Sequence, residues 1–171
     1  MQIKSSAFED SQKIPQRFTG EGEDISPPLE WSKIPAECKS FALLCEDPDA
    51  PKSPDKDHPF VHWLIYNISP NVSAPPEGIL PIPSLNAPPM NADQGKNSLH
   101  RFGYTGPMPP VGHGIHHYIF TLFALNAELG LKPGLTKAEF LEFITGHILK
   151  KTQLIGKYER SEAKKNPEAI L

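Results

Sequence analysis

Cysteine is nearly absent from the chain: Cys38 and Cys45 are the only two in 171 residues, and they form no CxxC pair. That excludes a disulfide framework and a cysteine metal knuckle. Both are read as reduced thiols, Cys45 buried in an apolar run and Cys38 more exposed. A dominant sign of charge is missing too. Lys+Arg 17 against Asp+Glu 20 leaves a net charge of −3, which argues against a nucleic-acid binder that relies on a general phosphate field. No apolar run approaches the ~18 residues that a membrane-crossing helix needs. The opening MQIKSSAFED has no apolar signal core, so the cytosol is the expected location. Neither a GxSxG nucleophile elbow nor an HExxH metal pair occurs.

Proline, by contrast, is abundant. The 20 prolines are more than double the ~5% average share, and after Pro110 only Pro133 and Pro167 remain. A backbone so poor in donors is not helical up to Val111. The prolines separate strongly apolar runs, so disorder does not describe it either. A chain of 18.9 kDa can bury about 70% of its unfolded surface, and residues 1–171 are expected to form a single domain without metals or disulfides.

Three runs read as central strands, apolar on both faces. They are Ser40–Glu46, ended by Asp47-Pro48, then Phe60–Ile68, and His116–Leu125. Ile3–Phe8 is a weaker strand candidate. Between the second and third strands lies Pro70–Pro110 with ten prolines, a connection long enough to suggest function; Ile79–Ile82 is a candidate short strand inside it. Thr136-Lys-Ala-Glu139 is a capping box. Phe140, Leu141, Ile144, Ile148 and Leu149 follow at helical spacing, which predicts a helix over Lys137–Lys151. Gln153–Tyr158 reads as a final strand or a second helical turn, and residues 158–171 as a frayed tail.

Polar residues with chemistry gather at the ends of the apolar strands. Asp47 and Asp49, at i and i+2, point the same way if the segment is extended. Prolines flank them, and Ala50-Pro51 is open to a cis bond. Strand alternation places His62 on one face with Phe60, Leu64 and Tyr66. His116 and Tyr118 also share a face, with His117 opposite, behind the rigid glycine- and proline-rich run Gly103–Gly114. Each segment taken alone also fits an ordinary turn or a satisfied core histidine.

Together they resemble the phosphatidylethanolamine-binding protein family. Asp-Pro-Asp-Ala-Pro (47–51) resembles its first signature, and Gly-Pro-x-Pro-Pro-x-Gly-x-Gly-x-His-x-Tyr (106–118) its second. Asp24-Ile-Ser-Pro-Pro-Leu-Glu-Trp31 and Gly146–Arg160 are similar to further stretches, the latter to the bacterial Raf-kinase-inhibitor-like branch. The resemblance implies a mainly β fold, in which a large antiparallel sheet packs with a smaller sheet and a helix lies late in the chain. It also implies a small anion pocket lined by Asp47, Asp49, Pro51, His62, Pro110, His116 and Tyr118, with Phe60 and Met108 at the rim. Family members bind phosphate-like head groups there. Some eukaryotic members regulate kinases or transcription through protein contacts, bacterial relatives are often dimeric, and no shared enzymatic reaction is known. Phe60 stands where animal members carry tryptophan, Met108 replaces a glycine of those members and His117 the usual arginine. Ser98 and His100 stand where bacterial relatives tend to have Asp and Gly.

The expected function is therefore non-catalytic binding of a small anion, such as phosphate or a phosphorylated head group, without metal or cofactor. A homodimer or a signalling partner, such as a kinase, is compatible with it. Protonation of the pocket histidines near their ordinary ~6.5 would favour an anion beside two aspartates. The rival is a metal-assisted or acid–base hydrolase using the same His62, His116, Asp47 and Asp49. A third reading makes Phe60, Trp63 and Met108 an exposed apolar rim for protein contacts.

Overall fold

The continuous apolar runs set the architecture. In the computed structural model, which describes residues 1–54 and 58–162, they become the central strands β4 (Ser40–Asp47), β5 (Phe60–Ile68) and β8 (His116–Leu125). The other strands are β1 (Gln2–Lys4), β2 (Gln12–Lys13), β3 (Glu30–Ser32), β6 (Ser84–Ala87), β7 (Met90–Gln94) and β9 (Ile148–Tyr158), with one helix, α1 (Lys137–Ile144). The large sheet has seven strands in the order β2-β9-β8-β4-β5-β7-β6, and β1 pairs with β3 in a second, two-stranded sheet. The large sheet is mixed, because β2 runs parallel to β9 where an antiparallel sheet was expected. That contact is two residues long and comes from a terminal segment laid along the β9 edge.

Each face of the large sheet has its own core. Phe41, Leu43 and Cys45 of β4 join Trp63 and Ile65 of β5 and Phe120 and Leu122 of β8 beneath Phe8, Ile14, Phe18 and Trp31. On the other face Ala42, Leu44, Leu64, Tyr66 and Phe123 are covered by Phe140 and Ile144 of α1 and by Leu131 and Leu135. The strands are therefore apolar on both sides because both sides are buried. Trp63, at 1% exposed, is core and not rim, against the reading that set it beside Phe60 and Met108. Cys38 is buried as well as Cys45, more so than expected.

Several boundaries move. The capping box forms, with Thr136 accepting from the Glu139 amide and Glu139 accepting from the Thr136 amide. The helix then stops at Ile144, and Gly146 takes a left-handed φ of 82°. Ile148 and Leu149, which continue the helical spacing in sequence, instead begin β9 with exposed side chains. Gln153–Tyr158 is the end of that strand. Tyr158 is buried and donates to Glu21, so the expected tail does not start there; its residues 163–171 lie outside the described residues. Of the Ile3–Phe8 candidate only Ile3 and Lys4 pair as a strand, within β1. Ile79–Ile82 is a loop, and the strands of the proline-rich connection are β6 and β7, joined across Pro88-Pro89. That bond and His58-Pro59 are the cis peptides among the described residues, so Ala50-Pro51 is trans.

Candidate functional site

At one end of the central strands the core face of the large sheet turns polar. Along β4 the face of Phe41, Leu43 and Cys45 ends in Asp47. Along β8 the face of Leu122 and Phe120 continues to Tyr118 and His116. Alternation alone brings these three side chains together.

His62 arrives differently. Cys45 pairs with Trp63, but its neighbour Glu46 pairs with Val61, so His62 is an extra residue opposite no partner. This is a β-bulge, a device that re-aims a side chain beside a site. Its effect is to put His62 on the face of Trp63, toward Tyr118, instead of on the face of Leu64 and Tyr66, which lie in the opposite core. The expected grouping with Leu64 and Tyr66 is thus overturned, while Phe60, paired with Asp47, stays with His62.

The result is a cavity of about 510 Å³. Asp47, Pro51, His62, Pro110, His116 and Tyr118 line it, as do Phe60 and Met108. Asp49 does not. Asp47 Oδ1 accepts from the Asp49 amide at 2.8 Å, an Asx turn that bends the segment and sends the second carboxylate outward. There Asp49 accepts from the His117 amide at 2.8 Å and from its Nδ1 at 2.7 Å. Burial would raise the Asp49 carboxyl, but these bonds outweigh it and hold the group below its ordinary range. The histidine that replaces the usual arginine therefore engages Asp49 outside the cavity.

Inside, the polar groups are tightly committed. Asp47 and His116, both nearly fully buried, pair at 2.6 Å between Oδ2 and Nδ1. His116 Nε2 meets His113 Nδ1, also at 2.6 Å. His62 Nδ1 donates to the Thr105 carbonyl at 2.6 Å, and the Thr105 amide returns a bond to the His62 carbonyl at 2.9 Å. Burial lowers the His62 pKa to about 4, against smaller raising effects of the Thr105 bond, Asp47 and Asp24. His62 is therefore neutral at ordinary pH, and the expectation that it charges near ~6.5 fails because its ring is desolvated. With the proton on Nδ1, its Nε2 carries a lone pair.

Other polar groups of the cavity have no such partner among the described residues. The Tyr118 hydroxyl has no hydrogen-bond partner among the described residues and is not a fully buried orphan, so it opens to the cavity. Burial pushes its pKa up, and Asp47 adds to that, so it stays a donor. Lys52, an exposed residue, also lines the cavity and has no hydrogen-bond or ion-pair partner among the described residues. Sequence reasoning missed Lys52, Ser53, Leu99, Thr105 and Gly106 as lining residues and His113 as a partner of His116. Lys52 directly follows the Asp-Pro-Asp-Ala-Pro run, a signal that was there to read.

Ser98 is structural: its hydroxyl accepts from the Val61 amide and its amide donates to the Val61 carbonyl, anchoring the start of β5. Cys45 sits in the core with its thiol pKa raised by burial, which suits packing and not reactivity. Among the described residues no group of three or more His, Cys, Asp or Glu side chains is arranged to hold a metal ion, and no helix is long and apolar enough to cross a membrane.

The family model of the phosphatidylethanolamine-binding protein matches residues 4–159. A UPF0098 protein of Methanothermobacter thermautotrophicus is 43% identical over 160 residues, covering 94% of this chain and 99% of its own. One from Chlamydia muridarum is 41% identical over the same shares. Among solved structures, a phosphatidylethanolamine-binding protein homologue from Chlamydia trachomatis is similar at a TM-score of 0.82 and 39% identity, with 92% of this chain and 96% of that one covered. E. coli YbcL, described as a member of the mammalian family, reaches 0.81 at 28% identity over 92% and 97% of the two chains. The likeness thus extends to an archaeal relative, beyond the bacterial branch that the sequence resembles. With the family model matched along nearly all the described residues and the fold shared, the chain belongs to the phosphatidylethanolamine-binding protein family.

Proposed function

We propose that the chain is a non-catalytic binding protein for a small ligand with a phosphate-like oxyanion head, held in the cavity at the ends of β4, β5 and β8. The observation that carries this reading is the Tyr118 hydroxyl, without a hydrogen-bond partner among the described residues, in a cavity also lined by Lys52 and the His116–Asp47 pair. The hydroxyl supplies a hydrogen-bond donor and the ammonium supplies charge. The hydrogen bond from His116 occupies the Asp47 oxygen that would otherwise repel an anion most directly. Phe60, Leu99 and the walls of Pro51, Pro109 and Pro110 exclude water and need no reorganisation, which strengthens the few polar contacts.

Regulation of a kinase or another signalling partner is the further reach of this proposal. Met108 and Leu99, 49% and 42% exposed, stand at the cavity, where a bound ligand and a partner would share one surface. Calorimetric titration with inorganic phosphate tests the binding itself. Tyr118→Phe removes only the hydroxyl, and loss of a hydrogen bond to a charged group lowers affinity roughly 10- to 100-fold. Unchanged affinity in that variant, or no heat of binding in the parent protein, rejects the reading. Steady hydrolysis of a phosphate ester would reject the non-catalytic part.

A further inference from the structure

The peptide that holds the His62 ring is itself held at its other end. The Thr105 carbonyl accepts from His62 Nδ1, and the next atom pair of the same peptide unit, the Gly106 N–H, donates to Asp24 Oδ1 at 2.6 Å. A carboxylate from the start of the chain thus reaches an imidazole through a single peptide plane. Asp24 has a left-handed φ of 57°, in a loop pinned to the Gly103–Gly106 segment by the Tyr104 hydroxyl donating to the Phe18 carbonyl. Gly106 is needed for this approach. A Cβ there would lie 2.6 Å from the Phe18 carbonyl oxygen and 2.7 Å from the Asp24 carboxylate.

The orientation has a chemical consequence. A carbonyl can only accept, so the His62 proton facing Thr105 is on Nδ1. The Nε2 atom has no partner among the described residues and is not a fully buried orphan, so it opens to the cavity. A ligand atom placed against it must bring its own hydrogen. We propose that Asp24, through the Thr105–Gly106 peptide, fixes His62 as a hydrogen-bond acceptor. The cavity then takes the protonated monoanion of phosphate or of a phosphate monoester and discriminates against phosphodiesters.

Asp24 is a positioning residue and His62 the contact. The proposal rests on the anion reading above and narrows it to oxyanions that carry a proton. Phosphate monoesters lose that proton near pH ~6, whereas dimethyl phosphate and methyl sulfate have none to lose. The groups facing His62 are Asp24, Asp47 of β4, and His116 and Tyr118 of β8, with Lys52 at the cavity wall. A change of charge on any of them also moves dimethyl phosphate and methyl sulfate, which therefore serve as the controls for the protein's own titration. His62 itself, held near 4 by burial, does not change charge between pH 5 and 8.

The experiment has two arms on the full chain. Nitrogen-15 NMR of the imidazoles without ligand reads the His62 tautomer in the parent protein, in Asp24→Ala and in Asp24→Asn, whose side-chain oxygen can still accept from Gly106. The expected result is a protonated Nδ1 in the parent and in Asp24→Asn, with a growing Nε2-protonated fraction in Asp24→Ala. Calorimetry with methyl phosphate, dimethyl phosphate and methyl sulfate at pH 5 and pH 8 forms the second arm. Relative to dimethyl phosphate and methyl sulfate, which bind weakly at both values, methyl phosphate affinity is expected to fall up to ~100-fold between pH 5 and pH 8, following its monoanion fraction. Asp24→Ala should reduce the preference for methyl phosphate over dimethyl phosphate roughly fivefold, the worth of one hydrogen bond.

An Nε2-protonated His62 in the parent, or a tautomer indifferent to Asp24→Ala, overturns the role of Asp24. Equal affinity for methyl and dimethyl phosphate overturns the selectivity while leaving anion binding intact. No binding of any of the three, with the tautomer as stated, overturns the anion reading and the selectivity with it, and Asp24 still sets the ring.

Discussion

Acidification should weaken this protein through His62 in particular. The ring is buried and neutral, with a pKa of about 4, whereas in the unfolded chain it titrates near ~6.5. Between those values the unfolded state binds the proton and the folded state does not, so stability falls as pH falls. The contribution is fully present above pH ~6.5. It drops by about 2 kcal/mol at pH 5 and about 3 kcal/mol at pH 4. For a chain of this length that corresponds to a fall in Tm of roughly 4–8 °C at pH 5. Carboxylates add to the same trend. Glu21 is held low first by the Tyr158 hydroxyl, and Glu139 by the Thr136 amide, so both lose stabilisation in acid. The informative quantity is therefore a difference. Urea unfolding of the parent and of His62→Gln from pH 4 to pH 7.5 isolates the ring, since glutamine keeps a donor for Thr105 and does not titrate. The two stability curves should converge as pH falls, by about 2 kcal/mol at pH 5. Curves that stay parallel would refute the claim that burial keeps His62 neutral.

Other consequences follow from the same geometry. Asp47→Asn replaces a carboxylate that receives two bonds, from Asp49 and His116, with a group that has one acceptor oxygen. Chemical denaturation should show a loss of roughly 1.5–3 kcal/mol, the range for a hydrogen bond to a charged group. Gly106→Ala forces a methyl against the Phe18 carbonyl and the Asp24 carboxylate. The amide exchange rates of Thr105 and Gly106 should rise sharply while those of β8 stay unchanged. Thr136→Ala removes the side-chain half of the capping box and should cost about 1 kcal/mol in unfolding free energy, with the tautomer of His62 untouched.

The central sheet was legible because its strands are continuous apolar runs of strand length. β5 and β8 occupy the residues expected of them, and β4 ends one residue later, at Asp47. The capping box was equally plain, since its two reciprocal bonds are local. What could not be read lies in tertiary contacts. Met90–Gln94 carries almost no strand propensity and pairs because its neighbours hold it. Gln94 accepts from the Trp63 indole and donates to the carbonyls of Leu80 and Ile82. The end of α1 depended on a glycine adopting positive φ while apolar spacing ran on through Ile148 and Leu149.

The site divides in the same way. His116, Tyr118 and Asp47 share a face by simple alternation, and Pro51, Pro109 and Pro110 wall the cavity beside them. His62 reaches it only through an extra residue opposite β4, invisible to a two-residue period. Asp49 leaves it because the Asp47 side chain caps a turn that an extended reading did not contain. Asp24 and Thr105 lie in stretches that the sequence singles out, but no pattern ties them to His62, since the link runs from the Asp24 carboxylate through one backbone peptide.

The most direct measurement is an amide chemical-shift map of the parent protein titrated with inorganic phosphate. Saturable shifts centred on Thr105, Gly106, His116 and Tyr118 are the expected result, with the strands β6 and β7 at the far edge of the sheet unmoved. Shifts confined to exposed lysines elsewhere, or no saturable change around Tyr118, would contradict it.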